Sequence, residues 1–152
     1  MDDDTPRAPG EFDWYTQPGH GWYGLDGQPI SLAEAESLLR DIDKRRVALS
    51  HIPRPDGTHL EVSTVFLAFD HGYTGHYAPV LWETMVFGPD SYADLDMRRY
   101  SSRAAAECGH REIVAENMPG RADLARYRTV VTARRIRAQR AARRARRAAR
   151  RT

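Results

Sequence analysis

Residues 121 to 152 hold 13 arginines against a single acid, Asp123, and offer little to bury beyond Leu124, Val130, Val131 and Ile136. A stretch of that composition cannot build a core of its own, so folding must be carried by the residues before it. Residues 1 to 120 have 10 basic and 20 acidic side chains. The formal net charge of +2 therefore hides an acidic body joined to a strongly basic arm. Such segregation points either to an arm for nucleic acid or to an arm that folds back on its own body.

The body has globular composition, since hydrophobic residues make up 41% and charged residues 29% of the chain. No apolar run approaches the ~20 residues of a membrane helix, and Met1-Asp2-Asp3-Asp4 is a poor start for a secretion signal. The expectation is a soluble protein of the bacterial cytoplasm without a membrane partner. Cys108 is the only cysteine, which excludes an internal disulfide and any zinc site built from several thiolates. Lys44 is the only lysine among 23 basic residues. That imbalance fits a GC-rich coding sequence as well as it fits bidentate recognition.

Residues 1–21 read as an extended leader, rich in Asp, Pro and Gly around Phe12, Trp14 and Tyr15, aromatics that can dock on the body. Asp26-Gly27 marks a two-residue hairpin turn. Ser31 and Glu34 form a capping box for a helix over about 32–41, with Leu32, Ala35, Leu39 and Ile42 at helical spacing. Arg46 to Ile52 has strand composition, and Asp56-Gly57 turns it into HLEVSTVFLAFDH, residues 59–71. That run is apolar on both alternations, which predicts a central strand. VLWETMVFG, residues 80–88, is its partner, and a short strand near Met97–Tyr100 follows. Ser101 or Ser102 then caps a helix to about Asn117 with Ala106, His110, Ile113 and Val114 on one face. The fold expected over 22–118 is α+β, a mainly antiparallel sheet of four to five strands with two helices on one face. Residues 119–152 follow as a basic C-terminal helix or arm.

Taken in order, WYGLDGQPISLAEAESLLRDIDKRRVALSHI, VSTVFLAFDH, LWETMVFG and RYSSRAAAECGH resemble a family of small uncharacterised proteins of actinobacteria and their bacteriophages. The resemblance covers about residues 22–115, and the VSTVFLAFDH and LWETMVFG pair is its most specific part. It implies a phage or actinobacterial setting without implying a mechanism. The loop GYTGHYAP departs from the shorter loop usual in that family.

Among candidate functional residues the arm stands first. Arg134, Arg137, Arg140, Arg143, Arg144, Arg147, Arg150 and Arg151 can neutralise several phosphates, gaining affinity by counterion release without base contacts. Alanines 138, 141, 145 and 148 share a seam with arginine on the other faces. No aromatic follows Tyr127, so stacking on single-stranded bases is not indicated.

A second group is Asp70, His71, Glu83 and His110. If strands 62–71 and 80–88 pair, His71 and Glu83 approach each other and His110 packs above them, a set able to ligate a metal or to act as acid and base. The spacing matches no specific motif. A strand-end Asp-His that closes a turn and a helix histidine satisfied in the core explain the same residues. Tyr73, His76 and Tyr77 make the following loop a candidate binding tip. Cys108, two residues from His110, faces away from it and reads as a small core residue.

The function expected is that of a non-enzymatic accessory protein of phage or prophage origin. It has no catalytic residue, metal or cofactor, and its arm contacts nucleic acid or a ribonucleoprotein. The alternative is a regulator that masks a host protein with its acidic body, and a metal-dependent or hydrolytic enzyme ranks third.

Overall fold

The structure, a computed structural model, describes residues 21–72, 78–89 and 94–149. The leader aromatics Phe12, Trp14 and Tyr15, the loop residues Tyr73, His76 and Tyr77, and Arg150 and Arg151 lie outside the described residues. Four antiparallel strands, β1 (Arg46–Pro53), β2 (His59–Phe66), β3 (Trp82–Phe87) and β4 (Asp94–Tyr100), form one sheet in the order β1-β2-β3-β4. Helices α1 (Leu32–Arg40) and α2 (Ile42–Arg45) precede it, and α3 (Arg103–Asn117) and α4 (Arg121–Ala149) follow. The class is α+β with a C-terminal helix.

Helix α1 begins where the capping box places it. Ser31 Oγ accepts from Glu34 N at 3.4 Å, and the Glu34 carboxylate accepts from Ser31 N at 2.9 Å. Asp41 ends α1 and caps α2 by accepting from Lys44 N at 3.1 Å, which turns the chain straight into β1. Both expected turns form, by a different device from a two-residue loop. Gly24 O accepts from Gly27 N and Arg54 O from Gly57 N, so each is a tight turn closed by a glycine with positive φ, 77° at Gly27 and 83° at Gly57.

Register decides which side chains are buried. Leu60, Val62, Thr64 and Phe66 of β2 face one side, in cross-strand rows with Trp82, Thr84 and Val86 of β3. Helix α3 lies against all four strands on this side. Ile113 joins Ile52, Leu60, Val62 and Val86 in one core cluster, while Ala106 joins Phe66, Ala68, Leu81 and Trp82 in another, against which Leu38 of α1 and Tyr100 pack. Gly109 sits directly under the Tyr100 ring, where any side chain would collide. On the other side Glu61, Ser63 and Val65 are only half-buried. The central strand is thus buried on one face instead of the expected two, because the face turned from α3 carries the row Leu49, Ser63, Met85 and Met97, with Leu49 39% and Met97 43% exposed.

Strand β2 also ends earlier than expected. Ala68 has φ 61°, a left-handed conformation that breaks strand geometry, and after it Asp70 N bonds back to Gly21 O at 2.8 Å. Cys108, expected in the core, is exposed and lies 3.4 Å from the Glu112 carboxylate. The inward face of α3 is taken by Ala106, Gly109, His110 and Ile113, and Cys108 falls on the opposite side of the helix.

Candidate nucleic-acid interface

Pro119 and Gly120 separate α3 from α4, and α4 then runs unbroken for 29 residues, about 43 Å. Its first half is fastened to the β1–β2 turn. The Tyr127 hydroxyl lies 2.8 Å from His59 Nε2, with the two rings edge to face at 5.3 Å. Arg134 donates to Asp56 O at 3.0 Å and to Gly57 O at 3.3 Å. Val130 Cγ1 stands 2.7 Å from where a Cβ on Gly57 would be, so the turn glycine is needed both for its φ and for the approach of α4. The Asp56 carboxyl is held below its ordinary range by the Thr58 hydroxyl and N–H, with a smaller contribution from Arg134.

Arg134, expected among the phosphate-binding residues, is bonded to the hairpin. Its guanidinium is spent on two backbone carbonyls because it lies on the same helix face as Leu124, Tyr127 and Val130. Arginines 137, 140, 143, 144 and 147, with 135 and 146, are exposed and pair with no carboxylate among the described residues. The basic region is helical from Arg121, and Tyr127, Val130 and Arg134 touch the body.

The angular layout follows from ~100° per residue. Around the Tyr127 direction, Leu124, Val130, Val131, Arg134, Ala138, Ala141, Ala145 and Ala148 all fall within about 60°. The alanine seam thus prolongs the docking stripe. Arg135 and Arg146 lie about 80–100° to one side and Arg137 and Arg144 as far to the other, while Arg140, Arg143 and Arg147 lie within about 40° of the opposite pole. Ile136 sits at that pole and is 43% exposed.

The other candidate residues are not brought together. Asp70 holds the base of the loop, its Oδ1 accepting from Gly72 N at 2.7 Å and from Val80 N at 2.8 Å. His71 bonds Val80 O through its backbone N–H, and its ring stands edge to face with Phe69. Glu83 lies opposite Val65 and is only 7% exposed, its carboxylate accepting from Arg99 Nε at 2.8 Å. His110 bonds to Thr64, one residue out of step with Val65, and so belongs to the other face of the sheet. Among the described residues no group of three or more His, Cys, Asp or Glu could hold a metal ion.

What the sequence reading missed is the set of partners around His110. Ser50 Oγ lies 2.9 Å from Nε2, Thr64 Oγ1 lies 2.8 Å from Nδ1, and Thr64 Oγ1 lies 2.7 Å from Thr84 Oγ1. Burial, with Arg111 adding to it, lowers the His110 pKa and favours a neutral ring joined to the Ser50 and Thr64 hydroxyls and, through Thr64, to Thr84. The alternating Ser50, Thr64 and Thr84 on inward positions were the available signal. No helix among the described residues is long and apolar enough to cross a membrane. No known protein family, curated protein or solved structure matches the chain.

Proposed function

We propose that the protein is a non-enzymatic accessory protein of the bacterial cytoplasm that contacts nucleic acid, free or within a ribonucleoprotein, through the arginine face of α4. The supporting observation is the contrast along one continuous helix. Up to Arg134 its inward stripe is engaged with the hairpin, and beyond it seven arginines stand exposed without a carboxylate partner among the described residues. Like charges four residues apart, such as Arg140 with Arg144 and Arg143 with Arg147, oppose the helix in water, and a polyanion relieves that repulsion. Phage or prophage origin rests on the motif resemblance alone.

The test is the salt dependence of binding by the full chain. About five simultaneous phosphate contacts give a slope near −4.5 for log affinity on duplex DNA against log salt. Deleting residues 135–152, which spares the Arg134 anchor, should abolish binding while leaving the unfolding transition in place. A flat salt dependence, or binding retained by the deletion, refutes the proposal.

A second reading is favoured by the exposed Leu49 and Met97 on the sheet face turned from α3: a regulator that masks a host protein with its body. It predicts a defined complex that survives nuclease treatment and is lost in Leu49→Asp.

A further inference from the structure

Resting on the nucleic-acid reading above, we infer that the arginine half of α4 lies in the major groove of duplex DNA. Ile136, Arg140, Arg143 and Arg147 face its floor, and the paired arginines on either flank reach its two phosphate walls. A helix that follows a single strand needs cations on one side only. Here they cover about 200° of the helix in three rows, one at the pole and one at each flank. The flanking rows, Arg135 with Arg146 and Arg137 with Arg144, are what two walls of phosphate require.

The dimensions agree. A helix about 10–12 Å across fits a B-form major groove about 12 Å wide, whereas the major groove of A-form RNA is too deep and narrow for side chains to read. The hairpin anchor fixes which way the face points. Tyr127, Val130 and Arg134 turn the opposite pole away from the body, so a duplex can approach without meeting the acidic domain. Ile136 supplies an independent argument. An isoleucine 43% exposed at the centre of a cationic face gains nothing from phosphates, but against the groove floor it can contact thymine methyls and base edges. The segment from Arg135 to Ala149 spans about 22 Å, enough to follow the groove past several phosphates on each strand.

The experiment measures binding of the full chain, at low salt, to a 20-bp DNA duplex, to its single strand and to the RNA duplex of the same sequence. Methyl green, which occupies the major groove, and distamycin, which occupies the minor groove, serve as competitors. Ile136→Glu and Ala145→Glu make the same change of charge, one at the pole and one on the seam. The expected result is a preference for duplex DNA, competition by methyl green only, and a loss in Ile136→Glu at least about tenfold greater than in Ala145→Glu. Equal binding to all three nucleic acids, competition by distamycin, or equal losses in the two variants overturns the groove assignment while leaving nucleic-acid binding standing. Absence of binding to any of the three overturns both.

Discussion

Replacing Thr64 with valine keeps the shape of a fully buried side chain while removing the hydroxyl that joins His110 to Thr84. The change leaves His110 Nδ1 without its partner in a core where the ring is only 6% exposed. An orphaned buried polar group costs about 1–3 kcal/mol, and the new methyl returns up to about 0.8, for a net loss of about 1–2 kcal/mol. In a chain of this size that lowers Tm by roughly 2–8 °C. His110 also predicts the pH dependence. Its folded pKa lies below the unfolded value of 6.5, so the native state binds fewer protons than the unfolded state in the interval between them. Stability is then complete above 6.5 and falls as pH drops through that interval, by at most about 1.4 kcal/mol per pH unit. Glu34, Asp41 and Asp56 have lowered pKa values and lose their contributions only at the more acidic pH where carboxylates protonate, so measurements at pH 7.5 and 5.5 keep these carboxylates out of the comparison, and a His110 variant assigns the rest. Urea unfolding followed by tryptophan fluorescence, with Trp82 in the core, reads both effects. His110→Gln should be less stable than the parent at pH 7.5 and show a smaller loss on going to 5.5. An undiminished loss in that variant, or a Thr64→Val cost under about 0.5 kcal/mol, refutes the reasoning.

Tyr100→Phe should be neutral or stabilising by up to about 1 kcal/mol, because the hydroxyl is buried with no partner among the described residues; a clear loss by thermal denaturation would mean that it has one. Gly109→Ala should destabilise by about 1–3 kcal/mol despite its better helix propensity, since the methyl meets the Tyr100 ring. Gly109→Ala combined with Tyr100→Leu should recover part of that loss. Gly57→Ala should cost about 1 kcal/mol in backbone strain and, by pushing on Val130, speed amide exchange in the first half of α4. A chain ending at Gly120 should still unfold cooperatively, because both core clusters lie before that point, at a midpoint lowered by the loss of Tyr127, Val130 and Arg134.

Much of the fold was legible because local signals agreed with one another. The Ser31 and Glu34 box, the two Asp-Gly turns and the inward stripe of α3 each arise from neighbours in sequence, and each forms close to where the pattern places it. The polar candidates were not legible, because they depend on register. Pairing β2 with β3 sets Thr64 opposite Thr84 and Val65 opposite Glu83, and since alternate residues point to opposite faces, Glu83 is separated from His110 by the sheet itself. The composition of β2 suggested burial on both faces, yet only knowledge of where α3 packs distinguishes one covered face from two. The docking of Tyr127 and Arg134 was hidden for a similar reason. Their partners, His59 and the carbonyls of Asp56 and Gly57, are 68 to 78 residues away in sequence.

That docking bears on the two roles the charge segregation left open for the arm. An arm held by its own acidic body would show its arginines on carboxylates, but Arg134, which reaches the body among the described residues, is bonded to carbonyls. Past it the helix presents alanine toward the body side and arginine away from it. A hydrogen bond such as Tyr127 with His59 and an apolar contact such as Val130 with Gly57 do not depend on an ion pair, whereas surface ion pairs are screened by salt. Raising salt should therefore release bound nucleic acid without detaching α4 from the hairpin. Amide exchange in the first three turns of α4, compared at low salt and at 0.5 M, reads this directly. Unchanged protection there, while affinity for DNA collapses, is the expected result. Protection lost in parallel with affinity would mean that the arm is held by charge, and that the acidic body and nucleic acid compete for the same arginines.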